Sequence, residues 1–374
     1  MMRLRPNHLR LIPKVMLEPM PTSTIAPACS ETTAPEVGGA VVAPSLPFVS
    51  VVIPCFNEER YIGQVIERLA AQYEAGRLEI IVVDGGSTDK TRAVVNECAA
   101  RLPQAHVHLI DNPKRHIPVA LNLGIAAARG EIVARMDAHA IPSANYLRRS
   151  IELLNDEPNA IVGMPCRIRA GAETTVARAI AQVVAHPFGI GDAQYRLAHT
   201  GGVRAVDTVP FGVFRKTLWQ QLGGFNESLL ANEDYDFNYR ARQQGGRVLL
   251  DTEAHTIYFA RPTLKELARQ YFRYGHWKAQ MLKLHPRSMR LRHAVAPLFV
   301  ATLVALVLLG SLWHAAWLLL LLMLLAYLLP ALAFACKLAR RERDYKLFVP
   351  IIAAFFVVHC SWGSGFWRGL FNKG

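Results

Sequence analysis

Polar side chains follow three strand-like runs of the sequence, at the point where each run ends. The first run, 49–53, leads into the loop Pro54–Glu59. The second, 80–83, is followed by Asp84, and the third, 131–136, is followed by Asp137 and His139. Parallel strands buried in an open sheet deliver their carboxyl ends to one edge, where ligands bind. We therefore expect these groups to line a common ligand site.

Asp84 is the first candidate for contact with a ligand. A carboxylate at a strand end can accept a hydrogen bond from the imide N–H of a nucleotide base and reject bases that lack this donor. The alternative is that Asp84 caps the helix that follows it. Ser87 or Thr88 would serve better as a cap, so the sequence favours a ligand contact for Asp84.

Asp137 and His139 lie two residues apart, so both side chains can point the same way. An oxygen and a nitrogen ligand at this spacing can hold a divalent cation between the oxygens of a diphosphate. A mixed site of this kind suits Mn²⁺ somewhat better than Mg²⁺. Short Asp/His pairs also occur by chance in any chain, and it is the position after a strand that favours a metal site here.

The segment Asn232-Glu233-Asp234 opens a predicted helix and offers a candidate general base. A carboxylate within hydrogen-bond reach of an attacking hydroxyl can take its proton during the reaction. The alternative is that Glu233 and Asp234 only stabilise the first helical turn through the helix dipole. The residues by themselves leave both interpretations open.

Gln270, Arg273 and Tyr274 are spaced by one helical turn on a predicted amphipathic helix. The arginine could bind a pyrophosphate, and the aromatic ring could stack on a sugar. Arginine and tyrosine are equally suited to anchoring a helix among lipid headgroups. The pattern does not decide between these two roles.

The elements that must position these groups alternate from Phe48 onward as strand, loop and helix. The apolar periodicity predicts helices over 59–69, 88–98 and 117–128, the last ended by Gly130. This alternation indicates a mostly parallel sheet with helices on both faces. Beyond residue 140 it is lost, but a strand-like run over 207–214 and a helix over 232–244 follow, and we expect residues 48–260 to form a single domain.

The net charge of +13 lies entirely in the C-terminal part of the chain. Residues 261–374 hold 16 lysines and arginines against 3 acidic residues, next to and between long apolar runs. This distribution is what the positive-inside rule predicts near a membrane, and it makes nucleic acid the weaker choice of partner. The 6 cysteines have no paired spacing, which argues against a disulfide framework or a zinc site and favours a reducing compartment.

A membrane domain is predicted to follow the large domain. Residues 261–293 are predicted to form an amphipathic interfacial segment, with an ordinary surface helix as the alternative. The runs 294–313, 314–336 and 347–367 are each close to the roughly 20 residues needed to cross a bilayer. The basic loop before the third run should be cytoplasmic. The large domain then lies on the same side, and the C-terminus on the opposite side. Residues 1–47 are expected to be a disordered leader without function, with a true start at Met16 or Met20 as the alternative.

Taken together, these motifs resemble glycosyltransferase family 2 with its GT-A fold, over Phe48 to about Lys283. Within that family the chain looks most similar to succinoglycan-type membrane glucosyltransferases. The resemblance is carried by Val-Ser-Val-Val-Ile-Pro-Cys-Phe-Asn-Glu-Glu, Val-Val-Asp84-Gly-Gly-Ser-Thr-Asp, Arg-Met-Asp137-Ala-His139, Asn-Glu-Asp234, the run 206–212, Gly-Gly-Phe-Asn-Glu and Arg269–Gly275.

The resemblance implies inverting transfer of a sugar from a UDP-sugar donor. Pro54, Asn57 and Glu58 match the first nucleotide loop of the family, with Glu58 near the ribose and Asp84 at the uracil. Asp137 and His139 match its motif for the diphosphate and for Mn²⁺ or Mg²⁺. Asp234, next to Glu233, matches the catalytic base. The sites predicted from the sequence for the donor are thus Pro54, Asn57, Glu58, Asp84 and Asp137.

Two departures from the family pattern bear on the metal and on the product. His139 stands where many members have Asp, which leaves the choice of metal open. Tyr274 stands after Arg273 where processive synthases have Trp, and three predicted spans are few for a polymer channel, so these two features favour the addition of a single hexose, with glucose as the expected sugar. The expected acceptor is a polyprenyl-diphosphate-linked saccharide at the cytoplasmic face of the inner membrane, for exopolysaccharide or another envelope glycan. Gln270, Arg273 and Tyr274 would hold the acceptor or its diphosphate, and the basic patch around Arg269–Arg292 would hold the lipid diphosphate. A processive polysaccharide synthase and a catalytically silent membrane scaffold are the alternatives.

Overall fold

A computed structural model describes residues 47–197 and 201–372 of the chain. The predicted leader therefore lies outside the described residues, apart from its last residue. Leu46–Gly374 form one compact unit.

The described strands form two sheets. The larger has the order β3-β2-β1-β4-β9-β6-β10-β8, and the smaller has the order β5-β11-β7. The strands are β1 (Val49–Cys55), β2 (Leu78–Asp84), β3 (Val107–Asp111), β4 (Ile132–Arg135), β5 (Ala140–Pro142), β6 (Ile161–Gly163), β7 (Cys166–Arg169), β8 (Val203–Ala205), β9 (Val213–Arg215), β10 (Val248–Asp251) and β11 (Thr256–Phe259).

The helices cover both faces of the larger sheet and continue into three long C-terminal segments. They are α1 (Ile62–Ala70), α2 (Thr91–Arg101), α3 (Ile117–Ala127), α4 (Tyr146–Asp156), α5 (Thr175–Val183), α6 (Pro187–Ile190), α7 (Lys216–Leu222), α8 (Glu233–Gln243), α9 (Leu264–Leu284), α10 (Leu291–Gly310), α11 (Ala315–Arg341) and α12 (Phe348–Phe371).

The first four strands are parallel, as the sequence predicts. Alternate residues of β1 pack on opposite sides: Val51 belongs to a core with α1 and α2, whereas Val52 belongs to a second core with α3. Covering both faces removes the apolar strands from water, which explains their near-continuous hydrophobic sequence. The predicted α/β fold with helices on both faces of a mostly parallel sheet is confirmed.

The register of these strands brings their polar ends to one edge. Cys55 at the end of β1 pairs with Asp84, which in turn pairs with Asp111. On the other side of β1, Val52 pairs with Arg135 at the end of β4, so the segment containing Asp137 leaves the sheet at the same edge. This register positions the candidate site.

Gly130 does not end α3 in the way that the sequence analysis expected. The helix stops at Ala127, and Gly130 does not adopt a positive φ angle. A Cβ atom on Gly130 would instead lie 2.5 Å from Ser50 Oγ and 2.8 Å from the Phe48 carbonyl oxygen. The glycine is needed because the chain passes directly against β1.

The predicted strand over 207–214 is also largely wrong. Only its end belongs to a strand, β9. Pro210 has no N–H to donate to a neighbouring strand, and Phe211 has a φ angle of 51°. The side-chain amide of Asn238 on α8 donates to Thr208 Oγ1 and to the carbonyl oxygen of Val209, which holds this segment as a loop.

The C-terminal helices α10, α11 and α12 lie in segments long and apolar enough to cross a membrane, namely Leu291–Gly310, Ala315–Arg341 and Tyr345–Phe371. The turn over 311–314 joins α10 and α11 into a hairpin, as predicted. The amphipathic helix α9 runs from Leu264 to Leu284, within the predicted amphipathic segment 261–293.

Candidate active site

The loops after β1 and β2 are joined to each other by hydrogen bonds. Asn57 adopts a φ angle of 56°, and its Oδ1 accepts from the Thr88 N–H at 2.8 Å. In return, the Asn57 N–H donates to Ser87 Oγ at 2.8 Å, and the Glu58 N–H donates to Thr91 Oγ1 at 2.7 Å. These bonds fix the two loops as one rigid edge beside the strand ends.

Asp84 is completely buried and is held by its own loop and by Arg92. Its carboxylate accepts from Ser87 Oγ at 2.5 Å, from two backbone N–H groups and from the Arg92 guanidinium at 2.8 Å. Burial by itself would raise the pKa of Asp84, but the hydrogen bonds from Ser87 and Arg92 outweigh it and lower the pKa. Asp84 is therefore an ionised group that shapes the loop, and its contact with a base stays a prediction.

Arg135 joins the predicted metal ligand to the predicted base. Its Nη2 lies 3.2 Å from Asp137 Oδ1 and 3.1 Å from Glu233 Oε1, and its Nη1 lies 3.7 Å from Asp234 Oδ2. The arginine side chain is only 7% exposed. Burial alone would lower the pKa of Arg135, but the three carboxylates outweigh it and raise the pKa, so this side chain is a permanent cation.

The two acidic residues at the start of α8 differ in their surroundings. The Glu233 side chain is 6% exposed and faces Arg135, whereas the Asp234 side chain is 30% exposed and lines an open cavity. Burial raises the pKa of Glu233, an effect that Arg135 opposes and Asp234 reinforces. Asp234 is thus the carboxylate that an incoming hydroxyl can reach.

His139 is positioned by the first loop. Its Nδ1 lies 2.9 Å from Glu58 Oε1, which leaves Nε2 for another partner. Burial would lower the pKa of His139, but the hydrogen bond with Glu58 outweighs it and raises the pKa. Glu58, which the family resemblance puts near a ribose, thus also orients the candidate metal ligand.

The helix α9 carries its predicted polar residues to the same place. The Gln270 amide donates to the hydroxyls of Tyr258 and Tyr274, each at 3.1 Å. The Asn232 amide donates to the carbonyl oxygen of Tyr274 at 3.2 Å, which ties α9 to the start of α8. Gln270, Arg273 and Tyr274 all line the cavity that contains Asp234.

This cavity has a volume of about 540 Å³ and extends from the sheet edge to the C-terminal helices. Its polar end holds Arg135, Asp137, His139, Glu233 and Asp234. Its other end lies between α6, α10, α11 and α12 and is mainly aromatic, with Phe188, Phe299, Tyr327 and Trp362. The cavity can therefore receive a molecule that is polar at one end and apolar at the other.

The structure does not bring every predicted site residue into this cavity. Asp137, His139, Glu233, Asp234, Gln270, Arg273 and Tyr274 line it, whereas Pro54, Asn57, Glu58 and Asp84 are not among the described residues that do. The last four lie in the joined loops at the same sheet edge, and Glu58 reaches the cavity wall only through His139.

Two cationic residues of the cavity were not identified from the sequence. Within the described part of the chain, Arg196, Arg261, Arg273 and Lys278 line the cavity without an acidic partner, and of these Arg273 and Lys278 lie in the predicted basic patch Arg269–Arg292. Arg196 lies over the rings of Tyr195 and Tyr258, and Lys278 lies 3.4 Å from the centre of the Tyr235 ring. No motif marks Arg196, which lies outside the predicted basic patch.

The fold and the site define the chain as a glycosyltransferase of the GT-A type. Residues 50–221, a little under half of the chain, match the family model described as "Glycosyl transferase family 2". This match supports the resemblance to family 2 glycosyltransferases of the succinoglycan type that the sequence motifs predicted.

Two curated relatives match almost from end to end. The chain is 28% identical over 335 residues to the succinoglycan biosynthesis protein ExoA of Rhizobium meliloti, covering 86% of this chain and 94% of that protein. It is 26% identical over 329 residues to a dolichyl N-acetyl-alpha-D-glucosaminyl phosphate 3-beta-D-2,3-diacetamido-2,3-dideoxy-beta-D-glucuronosyltransferase of Methanococcus voltae. This match covers 86% of this chain and 97% of that protein.

A solved structure shares the fold. The mannosyltransferase PcManGT from Pyrobaculum calidifontis, solved in complex with GDP-Man and Mn²⁺, superposes with a TM-score of 0.56 at 22% identity, covering 88% of this chain and 89% of that one. At this identity the likeness concerns the fold alone.

Proposed function

We propose that this protein is an inverting glycosyltransferase that transfers one hexose, glucose, from a UDP-sugar to a polyprenyl-diphosphate-linked saccharide at the cytoplasmic face of the inner membrane. The product would be exopolysaccharide or another envelope glycan. The observation that carries the proposal is one cavity that joins the acidic cluster around Arg135 to an aromatic region between the C-terminal helices. Such a cavity suits an acceptor with a polar reacting end and a lipid tail.

The names of the two relatives support this choice of pathway and acceptor. ExoA is named for succinoglycan biosynthesis, and the Methanococcus voltae protein is named for transfer to a sugar carried on a dolichyl phosphate. Both align over 86% of this chain, so the comparison extends beyond the nucleotide-binding half.

The donor would lie against the joined loops at the sheet edge. In this proposal Asp84 contacts the uracil and Asn57 and Glu58 lie near the ribose, following the resemblance to the family. The hydrogen bonds between the two loops support the role because they hold both loops in place before the ligand binds. Because the loops are already ordered, binding of the donor does not incur the entropic cost of ordering them.

A divalent cation would be held by Asp137 and His139, with Mn²⁺ preferred over Mg²⁺. Both side chains line the cavity, and His139 has Nε2 uncommitted while Glu58 holds Nδ1, which is the usual arrangement of a metal-binding histidine. The described residues contain no cluster of three or more such ligands, so the diphosphate oxygens of the donor would complete the site, as is common for these ions. The bound cation would neutralise charge that develops on the leaving diphosphate.

Asp234 would act as the general base. Its carboxylate accepts the proton of the acceptor hydroxyl while the oxygen attacks the anomeric carbon, which inverts its configuration. Its exposure to the cavity favours Asp234 over Glu233, which is nearly fully buried against Arg135. Glu233 and Arg135 would position Asp234 without touching the substrate.

The acceptor would enter from the aromatic end of the cavity. Its lipid tail would lie between α10, α11 and α12, and its diphosphate would meet the cationic side chains that have no acidic partner among the described residues, including Arg273 and Lys278. Cations that already have a carboxylate partner would bind a phosphate less strongly, so these unpaired side chains are the better candidates.

The test is release of UDP by the full-length protein reconstituted in lipid, with a panel of UDP-sugars, with Mn²⁺, Mg²⁺ or EDTA, and with a lipid extract as acceptor. We expect one donor to be consumed, and we expect EDTA and Asp234→Asn to abolish the reaction. Asp156→Asn, on an exposed position of α4, is the matched control and should retain activity. Product length then tests the transfer of a single sugar, since a ladder of lengths would indicate a processive synthase. Absence of UDP release with every donor, also in the presence of the lipid extract, would contradict the enzymatic proposal.

A further inference from the structure

The amphipathic helix α9 lies flat along the globular part of the protein. Near its start, Leu267 and Tyr271 share a hydrophobic cluster with Ala260 and with residues of α5. Near its end, Met281 packs among Leu229, Tyr235 and Tyr239. His285, which follows the helix, lies 2.8 Å from Asp236 on α8. Both ends of α9 therefore contact the glycosyltransferase domain.

The last helix, α12, runs beside α9 in the same direction and touches its backbone. A Cβ atom on Gly365 would lie 2.0 Å from the carbonyl oxygen of Phe272, and one on Gly369 would lie 2.3 Å from that of His276. From α9, a Cβ on Gly275 would lie 2.0 Å from the Trp362 carbonyl oxygen. Glycines at a four-residue spacing permit this close approach of two helices.

Both ends of α12 are attached on the side of the globular domain. Just before its start, Asp344 forms a 2.8 Å ion pair with Arg178 of α5. At its other end, Lys283 of α9 donates to the carbonyl oxygens of Gly369 and Asn372 at 2.9 and 2.7 Å. A helix of this length extends for roughly 36 Å at 1.5 Å per residue. If α12 crossed a bilayer from the domain side, its far end would lie a membrane's thickness away from α9.

The hairpin of α10 and α11 has a different environment. Its sequence from 293 to 336 contains no Asp, Glu, Lys or Arg, and its leucines are widely exposed, for example Leu308 at 65%, Leu312 at 84% and Leu329 at 61%. Basic residues occur only at its base, where Arg290 and Arg292 precede α10 or begin it and Arg340 and Arg341 end α11. A helix of 20 residues matches the ~30 Å hydrocarbon core.

We propose that the α10–α11 hairpin alone crosses the hydrocarbon core, and that α12 lies beside α9 in the interfacial region. The surface exposed by the hairpin is then covered by lipid tails, and the C-terminus lies on the same side as the glycosyltransferase domain. This replaces the expectation of three spans with the C-terminus on the opposite side. Lys346 precedes α12 and Arg368 lies in its last turn, which fits two ends on the positive side of the membrane.

Exposed apolar residues of α12 fit this position. Val349 and Phe356 are 69% and 44% exposed, and the helix also carries Trp362 and Trp367, a residue type enriched at the membrane–water boundary. The inference rests on the membrane attachment in the proposed function and is independent of the donor, the acceptor and the catalytic residues.

Labelling of single cysteines in sealed, oriented membrane vesicles tests the proposal. The full-length chain without its native cysteines carries one new cysteine at a time: Asn372→Cys after α12, Leu312→Cys at the hairpin turn, or Glu97→Cys on α2 as the marker of the catalytic side. With a maleimide that cannot cross membranes, we expect Asn372→Cys and Glu97→Cys to be labelled from one side and Leu312→Cys from the other. Labelling of Asn372→Cys from the side of Leu312→Cys would overturn the proposal.

A second measurement covers the case in which the cysteine-free chain does not fold. Reporters fused after Gly374 of the unaltered sequence, either a fluorescent protein that needs the cytosol or a phosphatase that needs the oxidising side, should give fluorescence and no phosphatase activity. The reverse result would overturn the proposal. Labelling of all three cysteines from one side would show that the hairpin does not cross the membrane, which would contradict the proposed membrane attachment. Catalysis would still be tested separately by UDP release.

Discussion

The Arg135 guanidinium lies 3.1 Å from Glu233, so one buried ion pair connects the end of β4 with the start of α8. The same Nη2 atom also lies 3.2 Å from Asp137. Two acidic segments that are far apart in the sequence thus share one cation. Removing this cation would leave several carboxylates close together in a buried place, which costs more than losing a surface ion pair.

Replacing Arg135 by methionine should therefore both inactivate and destabilise the protein. We expect a loss of at least about 100-fold in the rate of UDP release, comparable with removal of a preorganised electrostatic group. The unfolding free energy should fall by about 3–5 kcal/mol because a buried pair is broken. Thermal unfolding in detergent and donor hydrolysis measure the two effects.

The double variant Arg135→Met, Glu233→Gln distinguishes charge from packing. Removing the negative charge of Glu233 relieves part of the repulsion, so we expect a higher Tm than for Arg135→Met alone, without recovery of activity. Equal stability of the single and double variants would contradict the role assigned to this ion pair.

The contact between Glu58 and His139 gives a prediction about the metal. In Glu58→Gln the side chain keeps its shape but loses the charge that orients the imidazole, so the Mn²⁺ concentration for half-maximal activity should rise by about 10- to 100-fold. Glu59→Gln is the matched control, because Glu59 is the exposed neighbour and, among the residues that the structure describes, its carboxylate accepts only from the Lys90 N–H. If both variants respond equally to Mn²⁺, His139 is not a ligand positioned by Glu58.

The strand ends could be predicted from the sequence because each apolar run is followed at once by a polar group. Asp84 and Asp137 were placed correctly at one sheet edge for this reason. The local pattern also gave α9, since its apolar positions recur with the period of a helix. Elements defined by short-range periodicity are thus accessible without coordinates.

Contacts between distant segments could not be predicted in the same way. Nothing near Arg135 indicates that it will meet Glu233, and Arg196 belongs to no motif. The expectation that α12 crosses the membrane followed from length and hydropathy alone. The proposal that it lies beside α9 rests instead on the contacts of Gly365 and Gly369 with the α9 backbone, which no local pattern shows.

The hydrogen bond from Asn232 to the carbonyl oxygen of Tyr274 joins the start of α8, which carries the proposed base Asp234, to α9. We therefore expect the base and the acceptor-binding residues of α9 to be coupled. Asn232 has a φ angle of 63°, so Asn232→Gly keeps the backbone conformation and removes only the side chain. Transfer to the lipid acceptor should decrease while hydrolysis of the donor by water is retained. The ratio of transferred sugar to released UDP measures this.

Asn232→Ala separates the backbone effect from the lost contact. Alanine loses the same hydrogen bond and must also adopt the left-handed conformation, which costs of order 1–3 kcal/mol. Its ratio of transfer to hydrolysis should match that of Asn232→Gly, and its Tm should be lower. A normal ratio in both variants would show that the contact does not couple the two elements.

The buried carboxylate of Glu79 predicts how stability depends on acidity. It accepts from Ser50 Oγ at 2.5 Å and from the Arg129 backbone and guanidinium at 2.6 and 3.0 Å. Burial would raise the pKa of Glu79, but the hydrogen bonds from Ser50 and Arg129 outweigh it and lower the pKa. A lowered pKa in the folded state means that the stabilisation is present above the unfolded-state pKa and is lost as the pH falls through the folded-state value.

Glu79→Gln should therefore lower the Tm at pH 7, and the difference from the unaltered protein should shrink as the medium is acidified below the ordinary pKa of a glutamate. We expect the unfolding free energy to fall by about 1–3 kcal/mol at pH 7, because the variant replaces charged hydrogen bonds in a buried site. Glu97→Gln, on an exposed position of α2, should change neither the Tm nor its pH dependence. A difference that persists unchanged in acid would contradict this account.

Lys278 predicts a gain in stability at the expense of function. Its side chain is almost completely buried beside Tyr235, and burial, reinforced by Arg292, lowers its pKa to about 7. Since the pKa is lower in the folded than in the unfolded state, the destabilisation is largest at and below pH 7 and is relieved as the pH rises toward the unfolded value. Lys278→Met should thus raise the Tm by about 2–4 °C per kcal/mol gained, most clearly at pH 7 and less at pH 9.

If Lys278 binds the acceptor diphosphate, the same variant should raise the KM for the lipid acceptor while donor hydrolysis is unchanged. Lys265→Met, on the exposed face of α9, is the control, and a Tm gain without any change in the acceptor KM would leave Lys278 outside the binding site.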